Sequence, residues 1–286
     1  LTELLIFGAG YTGIAIAAAA RRLDLSVAVT SRGTPVLPEG AVRVPFHDAG
    51  AAIAAAACAI STAAPNAAGD PVLAVWGEAI RAARLQWLGY LSTTGVYGDH
   101  GGAWVDEDTP PAPGADRARR RMAAENAWIE TAAGRPLDII RLAGIYGPAR
   151  SAFDDVRGGR ARRVVKPGHA FGRIHRDDIA AGVLAAMARP PAGTRVLNFA
   201  DDAPSESAAV LTEAARLLGV APPLEVPFET AWASMSDMGR SFWAESRKVR
   251  AEKTKAALGI AWQFPSYREG LAQILAEEQR KEAGLF

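Results

Sequence analysis

Short apolar runs alternate with longer alanine-rich stretches through the first half of the chain. Apolar runs bounded by turn residues read as buried strands, and the longer stretches as helices. The pattern predicts strands at residues 4–7, 26–30, 42–46, 57–61, 85–91 and 137–142. Helices are predicted over 14–22, 49–57, 71–84 (proline in its first turn) and 117–133. Strand and helix in strict alternation predict an α/β fold with a parallel, doubly wound sheet. Beyond Gly147-Pro148 the pattern loosens. Residues 150–163, charged and glycine-containing, are predicted to be a mobile loop over a cleft. A short strand at 164–165, a helix at 176–188 and a strand at 195–200 follow. Then come a helix at 205–218 capped by Ser205, an extended stretch at 222–227, and helices at 252–258 and 267–281. The expected division is a first domain over 1–149 and a smaller substrate-binding region over 150–286, partly interleaved with it.

Composition narrows this picture in a few places. The chain has 286 residues, 49% of them hydrophobic, enough for a substantial core. A formal charge of +1 makes no global electrostatic case for nucleic acid or an anionic membrane, and neither is expected as a partner. The single cysteine, Cys58, lies in an apolar stretch and reads as a buried structural thiol in a reducing compartment. No run reaches the length of a membrane span, and the apolar N-terminal stretch lacks a basic leader, so a cytoplasmic location is expected. His47, His100 and His169 show no metal-ligand spacing.

The candidate chemistry begins at the first strand–helix junction, where Gly8, Gly10 and Gly13 form G-x-G-x-x-G. In that setting Gly8 permits a sharp turn, Gly10 lets a pyrophosphate approach the backbone, and Gly13 lets helix and strand pack closely. The helix N-terminus adds unpaired N–H groups and a partial positive charge. A dinucleotide site follows. At the end of the second strand an NAD site usually places Asp or Glu on the ribose 2′-hydroxyl, but here the chain reads Thr30-Ser31-Arg32. Hydroxyls and a guanidinium suit a 2′-phosphate, so NADP is expected ahead of NAD, unless Arg32 is merely a solvated loop residue.

Several stretches, taken together and in order, resemble the extended short-chain dehydrogenase/reductase superfamily of the NAD(P)-dependent epimerase/dehydratase type. They are the glycine motif, Asp48 after the third strand, Ser92 to Gly98 (S-T-T-G-V-Y-G), Arg141 to Pro148 (R-L-A-G-I-Y-G-P), Ile174 to Ile179 (I-H-R-D-D-I) and the closing segment around residues 248–271. The resemblance implies a Rossmann-type fold in which Gly8, Gly10, Tyr11, Thr12 and Gly13 line the pyrophosphate. It also implies that Asp48 faces the adenine, and that Ala63, Ala64 and Pro65 run beside the ribose and phosphates. Thr93 falls on the catalytic Ser/Thr position; its alternative is a strand-end threonine packing its methyl group. A homodimer through the helices at 71–84 and 117–133 is also implied, although Arg117, Arg119, Arg120, Arg121 and Arg135 argue against a close apolar bundle there.

The departure lies at the family's Y-x-x-x-K. Counting back from Glu125 places Arg121 at the lysine and Arg117 at the tyrosine, and no tyrosine occurs between Tyr97 and Tyr146. Arginine stays protonated at neutral pH and cannot exchange a proton as a phenol does. Arg121 can stand as a fixed cation, and Arg117 can bind a substrate carboxylate or phosphate; alternatively both belong to a solvated basic face. Tyr97, Tyr146 and His175 are the remaining proton-donor candidates near the cleft, with structural roles as their alternative. Two functions are therefore open. One is an NADP-preferring oxidoreductase or epimerase acting on a nucleotide-sugar-like or other small hydroxylated substrate without the Tyr/Lys pair. The other is a dinucleotide-binding sensor or scaffold that turns nothing over.

Overall fold

A computed structural model describes residues 2–159, 161–236, 239–240 and 243–284. The elements run β1 (Thr2–Phe7), α1 (Tyr11–Arg22), β2 (Val27–Ser31), β3 (Val42–Pro45), α2 (Gly50–Ala55), β4 (Ala56–Ser61), α3 (Pro71–Ala82) and β5 (Trp87–Thr93). There follow β6 (Trp104–Val105), α4 (Asp116–Ala132), β7 (Leu137–Leu142), β8 (Gly144–Tyr146), α5 (Ala152–Arg157), β9 (Arg163–Val165) and β10 (Arg173–His175). The remainder is α6 (Arg176–Ala188), β11 (Thr194–Phe199), α7 (Ser207–Leu218), β12 (Glu225–Pro227), α8 (Phe228–Ser234), β13 (Lys248–Val249), α9 (Glu252–Leu258) and α10 (Tyr267–Glu282).

Seven parallel strands form the central sheet in the order β11-β7-β5-β4-β1-β2-β3. The order reverses at β1, so the connections leaving β1 and β4 diverge and open a crevice beyond their carboxyl ends. This is the doubly wound, Rossmann-type sheet. Both faces are buried: Leu4 and Ile6 pack into one apolar cluster and Leu5 and Phe7 into another on the opposite side. That is why β1 reads as a continuous apolar run and not an alternating one.

The C-terminal part interleaves with this sheet. It supplies β11, which pairs with β7 from Thr194↔Leu137 to Phe199↔Leu142. Buried Asp138 on β7 accepts from Trp87 Nε1 on β5 at 2.8 Å and from Arg195 Nε on β11 at 2.7 Å, tying three strands together. Smaller pairs, β8 with β10 and β6 with β13, join distant stretches over the sheet's carboxyl edge.

The structure corrects several expectations. The stretch expected as a mobile loop, 150–163, contains α5, closed by a capping box in which Ser151 and Asp154 satisfy each other's backbone N–H groups. An Arg157–Glu278 ion pair at 2.7 Å ties this helix to α10; Arg160 lies outside the described residues. Ser205 does not cap α7. It exchanges backbone hydrogen bonds with Phe171, and Glu206 stands at the N-cap without a side-chain bond to the helix, its carboxylate accepting from Gly168 N instead. The stretch before α4 holds β6, whose partner lies more than a hundred residues away and could not be seen locally. Strands β8 and β10 and helix α8 were not expected at all, being too short to show a period. Cys58 is half-buried, not fully buried, and burial pushes its thiol up to about 11, which keeps it protonated and inert.

Candidate active site

The glycine loop sits at the carboxyl end of β1, at the crevice. Gly8 has φ +114°, and a Cβ there would lie 2.5 Å from Thr62 Oγ1. At Gly13 a Cβ would lie 2.0 Å from the Gly8 carbonyl oxygen, so only glycine lets α1 pack on the strand end. Gly10 differs: nothing lies within 4 Å of its would-be Cβ. Gly10 is also the N-cap of α1 and offers no side chain to the first-turn N–H groups. Two glycines therefore close the packing, and the third leaves open space at a helix N-terminus. That combination fits a pyrophosphate. Thr62, in the turn after β4, braces the loop, its hydroxyl 3.2 Å from the carbonyls of both Phe7 and Gly8. Tyr11 donates to the Pro148 carbonyl at 3.0 Å and so pins the loop to the turn after β8, while Thr12 is buried.

Farther along the edge the remaining expected cofactor residues lie at strand ends. Ser31 closes β2 and donates to the Gly33 carbonyl at 2.6 Å. Arg32 is exposed beside it. Arg43 on β3 reaches the same Gly33 carbonyl at 2.7 Å, bringing a second guanidinium to this corner that nothing in the local sequence signalled. Asp48 is exposed in a short 3₁₀ turn, Phe46–Asp48, after β3. Ala63, Ala64 and Pro65 follow β4 across the crevice.

Helix α4 carries the departure from the family. Arg117, Arg121 and Glu125 are spaced by four residues and share one face. Glu125 is buried; it accepts from the Ser92 hydroxyl and from Arg141 at 2.8 and 3.2 Å, and the Arg141 guanidinium lies 4.8 Å from the Tyr97 ring centre. Ser92 and Arg141 are direct partners across β5 and β7, so one carboxylate clamps the helix to two strands. One turn toward the cleft, Arg121 Nη1 donates to the Leu91 carbonyl at 2.8 Å, the Tyr90 hydroxyl at 3.2 Å and the Ala63 carbonyl at 3.3 Å. It is thus fixed on the ends of β4 and β5. Burial pushes the Tyr90 phenol well above its ordinary range, against the opposing effect of Arg121. Another turn on, exposed Arg117 borders the cleft, while Arg119 pairs with Asp116 on the outer side.

Thr93 ends β5 in the same cleft. Its Oγ1 accepts from Gly95 N at 3.1 Å, which leaves its O–H able to donate elsewhere. The other proton-donor candidates have structural partners. Tyr97 donates to Asn198 at 2.8 Å, and Tyr146 to the Ser266 carbonyl at 3.3 Å. Their phenols are raised by burial. His175 is fully buried at the N-cap of α6, accepts from Asp177 N through Nδ1, and is pushed down to about 4 by burial. The cleft has a volume of about 680 Å³ and extends from Thr12 and Thr62, past Thr93 and Arg121, to Phe171, Trp243 and Arg247. Those last three carry no motif: Phe171 lies in the turn before β10, and Trp243 and Arg247 lie in the segment entering β13.

A glycine loop at the switch point, a hydroxyl at the end of β5 and a cation on α4 thus border one cleft of a Rossmann-type α/β sheet. The chain shares its Rossmann-type fold with solved structures of the NAD(P)-dependent epimerase/dehydratase type. No family model matches it. A structure of a conserved protein of unknown function from Silicibacter pomeroyi is 40% identical, covers 97% of this chain and 99% of its own, and superposes with a TM-score of 0.89. MoeE5 in complex with UDP-glucuronic acid and NAD shares the fold at 18% identity, with coverage of 98% and 99% and a TM-score of 0.81. Human epimerase family protein SDR39U1 with NADPH does so at 18%, with coverage of 96% and 99% and a TM-score of 0.75. Among curated proteins, YeeZ of Escherichia coli K12 is 28% identical over 185 residues, 64% of this chain and 60% of its own length. A 3-diazoavenalumate denitrifying reductase of a Streptomyces species is 28% identical over 209 residues, 68% of this chain and 67% of its own. No helix among the described residues is long and apolar enough to cross a membrane.

Proposed function

We propose that this chain is an NADP(H)-preferring oxidoreductase of the epimerase/dehydratase type, working on a small hydroxylated or carbonyl substrate without a tyrosine acid/base. The observation that carries this reading is the open Gly10 position, sharing one cleft with Thr93 and the fixed Arg121 guanidinium. Gly8 to Gly13 would hold the pyrophosphate, Ala63 to Pro65 would flank the ribose and phosphates, and Asp48 would face the adenine. Ser31 and Arg32, with Arg43 beside them, would take the 2′-phosphate. The bound nicotinamide supplies a hydride donor or acceptor. Thr93 orients the substrate oxygen through its free O–H. Arg121 holds a positive charge at the place where family members carry lysine, but as an arginine it delivers no proton, which leaves that proton to water or to the substrate. The similarity to a Streptomyces reductase supports the reducing direction.

A specific observation favours a second reading, a dinucleotide-binding sensor or scaffold. Each tyrosine or histidine considered as a proton donor is held by a structural partner. Fluorescence titration with NADPH and NADH, followed by a cofactor-oxidation screen against pooled carbonyl compounds, separates the two. NADPH binding with turnover on a pool supports the enzyme; NADPH binding with none supports the sensor. Failure of both cofactors to bind removes both readings. The placement of α4 is tested by Arg117→Tyr combined with Arg121→Lys, which should preserve cofactor binding; its loss would refute the alignment.

A further inference from the structure

The substrate end of the cleft has a composition of its own. Among the described residues, Arg117, Arg121, Arg150, Arg173 and Arg247 border the cleft, against one carboxylate, Glu245, in a chain whose total charge is +1. These cations are not equivalent. Arg121 is committed to the strand ends, and Arg173 donates to the Phe171 and Ser205 carbonyls. Arg150 stands toward the cofactor end, 5.6 Å from the Tyr11 ring centre. Arg247 is placed differently. Its Nη1 donates to the Gly98 carbonyl at 2.6 Å and to Glu245 at 2.7 Å, which locks the guanidinium plane. Its Nη2 lies 3.7 Å from where a Cβ on Gly95 would stand, and Thr93 Oγ1 lies 3.4 Å from the same point. A rigid guanidinium edge therefore faces the space beside Thr93, where the absence of a side chain at Gly95 makes room.

The facing surface is aromatic. Phe171 and Trp243 meet edge to face at 5.1 Å, with His169 against both rings at 4.7 and 5.2 Å. The Trp243 carbonyl accepts from Lys166 Nζ at 2.8 Å and from His169 Nε2 at 3.1 Å, and Phe228 supports its ring at 5.5 Å. Half-buried and held from three directions, this pair presents a fixed aromatic surface to the cleft.

We infer that the substrate is a small ring-bearing acid, an oxyanion on a planar ring, with the oxyanion held by Arg247 and Arg117 beside Thr93 and the ring against Phe171 and Trp243. This rests on the cleft being the substrate side of a dinucleotide site. Arginine forks suit carboxylate and phosphate alike, and an aromatic wall selects planar over branched bodies of equal charge.

Isothermal titration of the NADPH-saturated full chain tests this with trans-cinnamate, phenyl phosphate, hexanoate, trans-cinnamamide and UDP-glucose. One of the first two should bind, and the better of them identifies carboxylate or phosphate. Removing the charge (cinnamamide) or the ring (hexanoate) should weaken binding at least tenfold. Arg247→Gln should weaken the bound acid about tenfold or more while leaving cinnamamide unchanged, and Arg247→Lys should lose less. Trp243→Leu should weaken acid and amide alike. Equal affinity for cinnamate and cinnamamide, tighter binding of UDP-glucose than of either acid, or equal loss of acid and amide in Arg247→Gln would each overturn the inference. NADPH is titrated in the same samples. NADPH bound with no acid bound defeats this inference alone; an acid bound with no NADPH bound defeats the dinucleotide reading; neither bound defeats both. Thermal melts of each variant establish that it folds.

Discussion

The two ends of the cleft are built by opposite means. At the glycine-loop end, six consecutive residues of one strand–helix junction supply the loop itself, and their chemistry is that of side chains left out: Gly8 and Gly13 pack where a Cβ would collide, and Gly10 opens onto space. At the substrate end the surface is made of large side chains, arginines and aromatics, delivered by α4, the turn before β10 and the segment entering β13. The first end is largely contiguous in sequence, with Thr62 and Pro148 as its remote supports. The second exists only while distant segments stay docked, so it should fail first when a tertiary anchor is cut.

Glu125→Ala gives the strongest test of that contrast. It leaves Arg141 buried without its carboxylate and should cost about 3–5 kcal/mol in urea unfolding. The loss of acid binding should exceed the loss of NADPH binding, and equal losses would collapse the distinction. The seam between the two ends is the next target. A Cβ on Gly147 would lie 2.6 Å from the Tyr11 hydroxyl and 3.6 Å from His175 Nε2, so this turn touches both the loop and α6. His175 is fully buried with its folded pKa pushed down to about 4, below its ordinary value near 6.5. Its stabilising contribution is therefore complete above pH 6.5 and is lost as the pH falls toward 4, by up to about 3 kcal/mol. Asp201 and Asp178, raised by burial to about 7 and about 6, act in the opposite sense and stabilise the fold as they take up protons. His175→Phe should flatten the acid loss measured by denaturation at pH 7 and pH 4.5; an unchanged difference would show that another group is responsible.

Gly13→Ala tests the cofactor end directly. A methyl 2.0 Å from a backbone oxygen must displace α1, and NADPH affinity should fall at least a hundredfold, about 2.7 kcal/mol. Acid binding measured without cofactor should change far less. The smallest effect concerns the corner at β2. Arg32→Ala should weaken NADPH about tenfold, roughly 1.4 kcal/mol, with NADH unaffected; equal changes would assign the 2′-phosphate elsewhere, Arg43 being the next candidate.

Much of the sheet was legible in advance because buried parallel strands are apolar throughout and their connecting helices are long enough to show a period. The failures share a physical cause. Strands β6, β8, β10 and β13 are two or three residues long, and their pairing partners are remote, so neither period nor turn marks them. Helix α5 did carry a local sign, Ser151 three residues before Asp154, which charge and glycine nearby obscured. In α4 the four-residue spacing of Arg117, Arg121 and Glu125 was readable, but the inward course of Arg121 was not. That course depends on carbonyls of β4 and β5 brought together by the sheet.

The sequence by itself determined the glycine loop, because the turn, the close packing and the open helix end are all properties of a contiguous stretch. It also determined that no tyrosine stands on α4, since that needs only counting. The tertiary structure alone decided what surrounds the gap. It set Arg121 on the strand ends, turned Tyr97, Tyr146 and His175 to structural partners, and carried Arg247, Phe171 and Trp243 to the far side of the cleft. Backbone conformation is largely a local matter, whereas a binding surface assembled from separate loops is defined by packing between segments that the chain keeps far apart.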